Sequence, residues 1–278
     1  YNNLGAVLLA LRRFEQALAA FDRATALKPD YAEAFNNAGN ALVSLGRAGD
    51  ALSRYETAAR LAPPGATLLA NRAIALQKLG RLEEALAGYD AAIALQPDHA
   101  DAHANRGEAL RLLKRAGEAV ASFDRAVAIS PRSAVALNGR GTALFDAGRP
   151  EDALASYDRA IALDPAFADA HANRGNVLAR LGRHEEALAA CDRALAADPG
   201  HAQAPRTRIA ALLALQRYEE AIAGCDRLID RDPGAADAHF GRAIALVELY
   251  RHEEALPAIE RALALAPGLP YARGLHLH

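Results

Sequence analysis

Small apolar, large apolar and polar positions recur along this chain at a spacing of 34 residues. Eight prolines keep the beat without a slip: Pro29, Pro63, Pro97, Pro131, Pro165, Pro199, Pro233 and Pro267. With that proline numbered position 32 of each unit, position 11 is Leu8, Leu42, Leu76, Leu110, Leu144, Leu178, Leu212 and Leu246. Position 20 is Ala17, Ala51, Ala85, Ala119, Ala153, Ala187, Ala221 and Ala255. Position 24 is Phe21, Tyr55, Tyr89, Phe123, Tyr157, Cys191, Cys225 and Ile259. Position 27 is Ala in seven units and Leu228 in the other.

Positions 4, 8 and 11 fall on one face of a helix, as do positions 20, 24 and 27. The spacing predicts two amphipathic helices per unit, A over about positions 1–14 and B over about 18–31, each about 21 Å long. Gly46, Gly80, Gly148 and Gly182 sit at position 15, where a glycine ends helix A. Acidic pairs such as Glu83-Glu84, Glu185-Glu186 and Glu253-Glu254 follow, suited to the positive start of helix B. The position-32 proline then stops helix B. Alanine at position 20 and Gly or Ala at position 8 let the two helices approach closely. One hairpin cannot bury both of its apolar faces, so the units must stack.

These residues resemble the tetratricopeptide repeat family over nearly the whole chain. The resemblance implies an all-α fold, a right-handed α-solenoid superhelix of about eight helix–turn–helix repeats with the A helices on its concave side. The array then covers 1–269, as repeats 1–31, 32–65, 66–99, 100–133, 134–167, 168–201, 202–235 and 236–269. Residues 270–278 are expected to start a capping helix or to join a further domain. The chain begins inside a helix A and neither end supplies the polar cap that arrays need, so the expectation is a segment of a longer protein. Repeat 7 departs most, with Pro205 at position 4, Ile209 at 8 and Leu228 at 27. These residues mark either a bend or boundary, or a site where neighbouring side chains compensate.

Composition narrows the function. Apolar residues make up 52% but aromatics only 5%, so the core is assembled from many small contacts. The 32 basic and 34 acidic residues are interspersed and leave a formal charge of −2, which argues against a nucleic-acid surface. No apolar run is long enough to span a membrane, and Tyr1-Asn2-Asn3-Leu4 has no basic start of a secretion signal. Two cysteines, Cys191 and Cys225, are too few for a disulfide framework and fit a reducing, cytoplasmic setting.

In this family positions 2, 5, 6, 9, 12 and 13 of helix A face the groove. Position 6 reads Asn3, Asn37, Asn71, Asn105, Gly139, Asn173, Thr207 and Gly241. Asparagine is a mediocre helix residue, so its recurrence wants a reason. A row of amides complements a peptide backbone, offering donor and acceptor without reading sequence. The alternative is that these amides bridge neighbouring A helices or echo the ancestral repeat. Asn36 and Asn138 at position 5, and Asn40 and Asn176 at position 9, extend the candidate peptide-binding set. Phe145, Phe240, Ile244 and Val247 add apolar spots. The family's carboxylate-clamp variant needs Lys at position 5, which is absent here, and position 2 is instead acidic at Glu33, Asp101, Asp169 and Asp237.

Position 7 is Arg from Arg72 to Arg242, and position 25 is acidic throughout. Inter-helix ion pairing is the expected role, with a strip for acidic ligands as the alternative. Arg at position 16, from Arg13 to Arg251, is expected to pair locally. His103, His171 and His239 share position 4, two repeats apart, and are expected to pack rather than hold metal. Neither a metal site, a cofactor nor a catalytic residue is expected.

The first reading is therefore a protein–protein interaction module that holds extended protein segments. A second follows from a resemblance of Tyr31–Asn40, the asparagine row and the tail Pro267–His276 to O-GlcNAc-transferase-like, SPINDLY-type glycosyltransferases. It implies an arm presenting acceptor proteins to a catalytic domain absent here. A third is a self-associating scaffold, a homodimer among its forms. Partners are expected to be protein or peptide, not nucleic acid or membrane.

Overall fold

Each 34-residue unit folds as two helices because its turn residues close both ends. The computed structural model describes residues 1–268, which hold sixteen α-helices and no strand. The A helices are α1 (Asn2–Ala10), α3 (Ala32–Ser44), α5 (Ala66–Lys78), α7 (Ala100–Leu112), α9 (Ala134–Asp146), α11 (Ala168–Arg180), α13 (Ala204–Ala214) and α15 (Ala236–Glu248). The B helices are α2 (Phe14–Leu27), α4 (Ala48–Leu61), α6 (Leu82–Leu95), α8 (Ala116–Ile129), α10 (Pro150–Leu163), α12 (His184–Ala197), α14 (Tyr218–Arg231) and α16 (His252–Leu265). The chain is all-α, as its period predicts. The expected cap or junction at 270–278 lies outside the described residues.

The A-to-B turn is a Schellman closure. In the second repeat, Gly46 sits at φ +75 and donates to the Val43 carbonyl at 3.1 Å, while Arg47 N–H donates to Leu42 at 2.9 Å. Arg12, Lys114, Gln216 and Tyr250 fill the same position in other repeats at φ of 57 to 62, strained without glycine. The arginine after this residue is also the N-cap of helix B. Its guanidinium meets the carboxylate three residues on, as in Arg81–Glu84 and Arg183–Glu186 at 2.7 and 2.6 Å. Helix B ends about two residues before its proline, since a residue preceding proline avoids helical angles. Lys28, next to Pro29, is extended at φ −137, ψ 89.

Position 8 and position 24 are complementary in size. A side chain at Gly5 would run into the Phe21 ring, and one at Gly39 or Gly107 into Tyr55 or Phe123. Position-20 alanines and position-11 leucines from Leu42 onward are buried between the helices. In repeat 7 the relation inverts: Ile209 at position 8 is buried against the small Cys225 and Gly224. The neighbours compensate there.

The helices group into two compact units, Tyr1–Gly148 and Arg149–His278, whose division falls in the fifth repeat rather than at repeat 7. Within each unit every helix packs on the next, and successive A helices touch while, among the described residues, no two B helices pack closely together. The A helices therefore form the inner side of each stack, a solenoid arrangement. Adjacent repeats are clasped by position 7 on position 25: Arg106–Asp90 and Arg140–Asp124 at 2.6 Å, Arg174–Asp158 and Arg208–Asp192 at 2.7 Å, Arg242–Asp226 at 2.8 Å. Position 7 of repeat 2 is Ala38, and there Arg54 of α4 reaches Asp22 instead, at 2.9 Å. These arginines act in packing, as the pattern predicts.

Candidate functional site

The inner wall of residues 1–148 is a connected row of amides. Asn71 Nδ2 on α5 donates to Asn36 Oδ1 on α3 at 3.1 Å. Asn36 donates to Asn37 at 3.4 Å, and Asn37 to Asn2 on α1 at 3.0 Å. Asn2 ends the chain on Glu33 at 3.0 Å and the Tyr31 hydroxyl at 3.2 Å. The asparagines thus do bridge neighbouring A helices. Each primary amide has two N–H groups and two acceptor sites, so Asn36, Asn37 and Asn71 keep capacity for a ligand, whereas the buried Asn2 donates twice within the row.

Beneath this row, buried tyrosines hold two further groove amides. Tyr55 donates to Asn40 Oδ1 and Tyr89 to Gln77 Oε1, both at 2.8 Å. Burial pushes both phenols above their ordinary pKa, so each stays a donor and fixes which end of the amide faces out. Asn2 and Gln77 are not among the binding residues expected from sequence, and Tyr55 and Tyr89 are read there only as packing residues at position 24. The signal for Asn2 was its shared position 5 with Asn36 and Asn138. For the tyrosines it was a hydroxyl at a fully buried position, which must find a partner.

Between α5, α7 and α9 the wall opens into a cleft of about 480 Å³. Asn71 and Asn105 line it, with Thr67, Asp101, Ile74 and Val135. Asn105 is half-buried and its amide makes no hydrogen bond with the described residues. Val135 is 70% exposed and offers the cleft an apolar contact. Arg111 on α7 is held by Glu108 at 2.7 Å and by Asp146 on α9 at 3.2 Å, which keeps its guanidinium charged. Asn3 is exposed on α1, and Asn138 is half-buried on α9. The row breaks at Gly139 for a steric reason: a side chain there would meet the Phe123 ring.

The inner wall of residues 149–268 differs. Asn173 and Asn176 lie half-buried on α11. On α13 the next position-5 residue is Arg206, paired with Asp237 at 2.8 Å. Leu213, Phe240 and Ile244 then line an apolar cleft of about 200 Å³. Thr207 and Gly241, which replace asparagine, are both buried.

The remaining candidates have structural roles. His103, His171 and His239 each donate from Nε2 to the carbonyl of Pro97, Pro165 or Pro233, at 3.0, 3.0 and 3.2 Å. His99 caps α7 by accepting from Ala102 N–H at 3.3 Å. Cys191 and Cys225 are free and buried, and burial pushes each thiol up to about 12. No helix among the described residues is long and apolar enough to cross a membrane.

The family profile for the tetratricopeptide repeat matches residues 71–134, 138–202 and 207–270, and a second TPR repeat profile matches 5–46. No curated relative matches the chain. Among solved structures it is similar to the APC/C hetero-tetramer Cut9–Hcn1, with a TM-score of 0.72 and 14% identity over 94% of this chain. It spans about half, 52%, of that structure's chain. A tetratricopeptide repeat protein from Parabacteroides merdae aligns over 88% of this chain and 96% of its own, at TM-score 0.64 and 17% identity. YrrB, a TPR protein with an unusual peptide-binding site, aligns over 71% of this chain and 98% of its own, at TM-score 0.52 and 25% identity.

Proposed function

Because the chain belongs to the tetratricopeptide repeat family, we propose that the inner wall of residues 1–148 binds an extended protein segment through its backbone. The fold itself is a general protein–protein interaction module, and one that is typically non-catalytic. The amide wall gives the finer reading. The observation that carries it is Asn105, a half-buried amide with no partner among the described residues, lining the same cleft as Asn71. Such a group keeps its donors and acceptor ready to bond a peptide unit. The unusual peptide-binding site of YrrB supports the same direction.

Neighbouring A helices lie about 8–10 Å apart, close to the reach of three extended residues at about 3.3 Å each. One amide therefore meets about every third peptide unit. Ile74 and Val135 offer apolar contact between them. A segment of about ten residues would span the wall, with each hydrogen bond contributing about 1 kcal/mol.

The test is selection from an immobilised random dodecapeptide library. The unaltered chain should enrich peptides of varied sequence. The triple variant N37A/N71A/N105A should lose that enrichment while keeping its helical circular dichroism. Enrichment unchanged in the folded triple variant overturns the reading. A concentration-dependent mass indifferent to these substitutions would favour a self-associating scaffold instead.

A further inference from the structure

A partly enclosed cavity of about 260 Å³ lies among α12, α13 and α14, in the unit that does not carry the amide wall. It opens where position 4 of the seventh repeat is Pro205. The other repeats from the second onward place a long side chain there: Phe35, Leu69, His103, Leu137, His171 and His239. The histidines also tether the preceding turn by donating to its proline carbonyl, as His171 does to Pro165 at 3.0 Å. Proline can do neither. Helix α13 begins at Ala204, two positions later in its repeat than α11 or α15. The turn is tethered from the opposite side, by Arg231 donating to Pro199 O at 3.0 Å and Gly200 O at 3.1 Å. The slot is left open.

Its walls are apolar and its lining cationic. Leu195, Pro199, Pro205, Ile209 and Leu228 line it, beside Gly224 with no side chain. Three arginines, Arg208 and the exposed Arg227 and Arg231, complete the lining, and no acidic residue does. Arg208 is neutralised by Asp192 at 2.7 Å. Arg231 is spent on neutral carbonyls, and Arg227 has no ion-pair partner among the described residues. An apolar slot with unmatched guanidinium groups selects a ligand that is greasy at one end and anionic at the other. An engineered apolar cavity of about 150 Å³ holds benzene, so this one has room for a ring and a short linker. Guanidinium planes stack on aromatic faces and grip carboxylates in bidentate fashion.

The geometry points to a binding site for a small carboxylate carrying a single aromatic ring. The probe is 3-phenylpropanoate, titrated calorimetrically into the whole chain, with a dissociation constant of about 1 mM or tighter expected. Pro205→His fills the slot as three other repeats do, and should abolish binding. Arg227→Ala, or the neutral analogue 3-phenylpropan-1-ol, should bind about five-fold more weakly or less. Methyl resonances of Leu195, Ile209 and Leu228 should shift on addition while Ile74 stays still, a readout independent of whether either variant folds. No binding at about ten times the expected constant, or shifts that avoid these three methyls, would overturn the proposal.

Discussion

In the unit ending at Gly148 the inner positions carry Asn36, Asn37, Asn40, Asn71 and Asn105. In the unit beginning at Arg149 three of the corresponding positions on α13 and α15 carry Arg206, Phe240 and Ile244. Both walls come from one 34-residue pattern. The positions that close turns and clasp repeats hardly differ between the units, whereas packing position 24 is aromatic through Tyr157 and then becomes Cys191, Cys225 and Ile259. Those facing the inner side differ more, and position 6 follows its packing partners, since a side chain at Gly139 would meet the Phe123 ring. Repeat 7 differs further, with Pro205 at position 4 lining a cavity.

The packing contrast gives the largest expected effect. Position 8 must be glycine at 39 and isoleucine at 209, for opposite reasons. Ile209→Gly should cost about 4 kcal/mol, combining a cavity with a helical glycine. Gly39→Ile should cost about 3 kcal/mol by overpacking against Tyr55. Urea unfolding measures both, and a loss below about 1 kcal/mol in either would break the size complementarity.

The smallest effect concerns what the units share. Bonds from Arg81, Arg115, Arg183, Arg217 and Arg251 lower the pKa of Glu84, Glu118, Glu186, Glu220 and Glu254 below the ordinary 4.5. A depressed folded pKa adds stability above the unfolded value and loses it as pH falls through the folded one. These groups are fully exposed, so the acid-side fall in melting temperature they cause should be slight and should shrink further in high salt. A large drop that salt does not alter would contradict this.

Much of this was legible because repetition averages out local ambiguity. Position 15 announced its turn through four glycines, and the Arg–acid spacing announced the clasp. The helix ends were displaced by about one residue, since the position-16 arginine caps helix B directly. The amide row was legible as a row. Its connectivity was not, because Asn2 lies at the start of the chain and the Tyr55–Asn40 bond joins two helices whose facing rotamers no spacing rule gives. The slot beside Pro205 was hidden for a related reason. The sequence marked repeat 7 as irregular, but whether a small residue leaves a void depends on how neighbours close around it.

The central claim is that the inner wall of residues 1–148 grips a peptide backbone, and Asn105 tests it most cleanly. Its amide bonds none of the described residues, so Asn105→Ala should not lower the melting temperature, alanine being the better helix residue. Affinity for a dodecapeptide enriched by the unaltered chain, read by fluorescence anisotropy, should fall about five-fold or more for a loss of about 1 kcal/mol. An unchanged affinity would contradict the account.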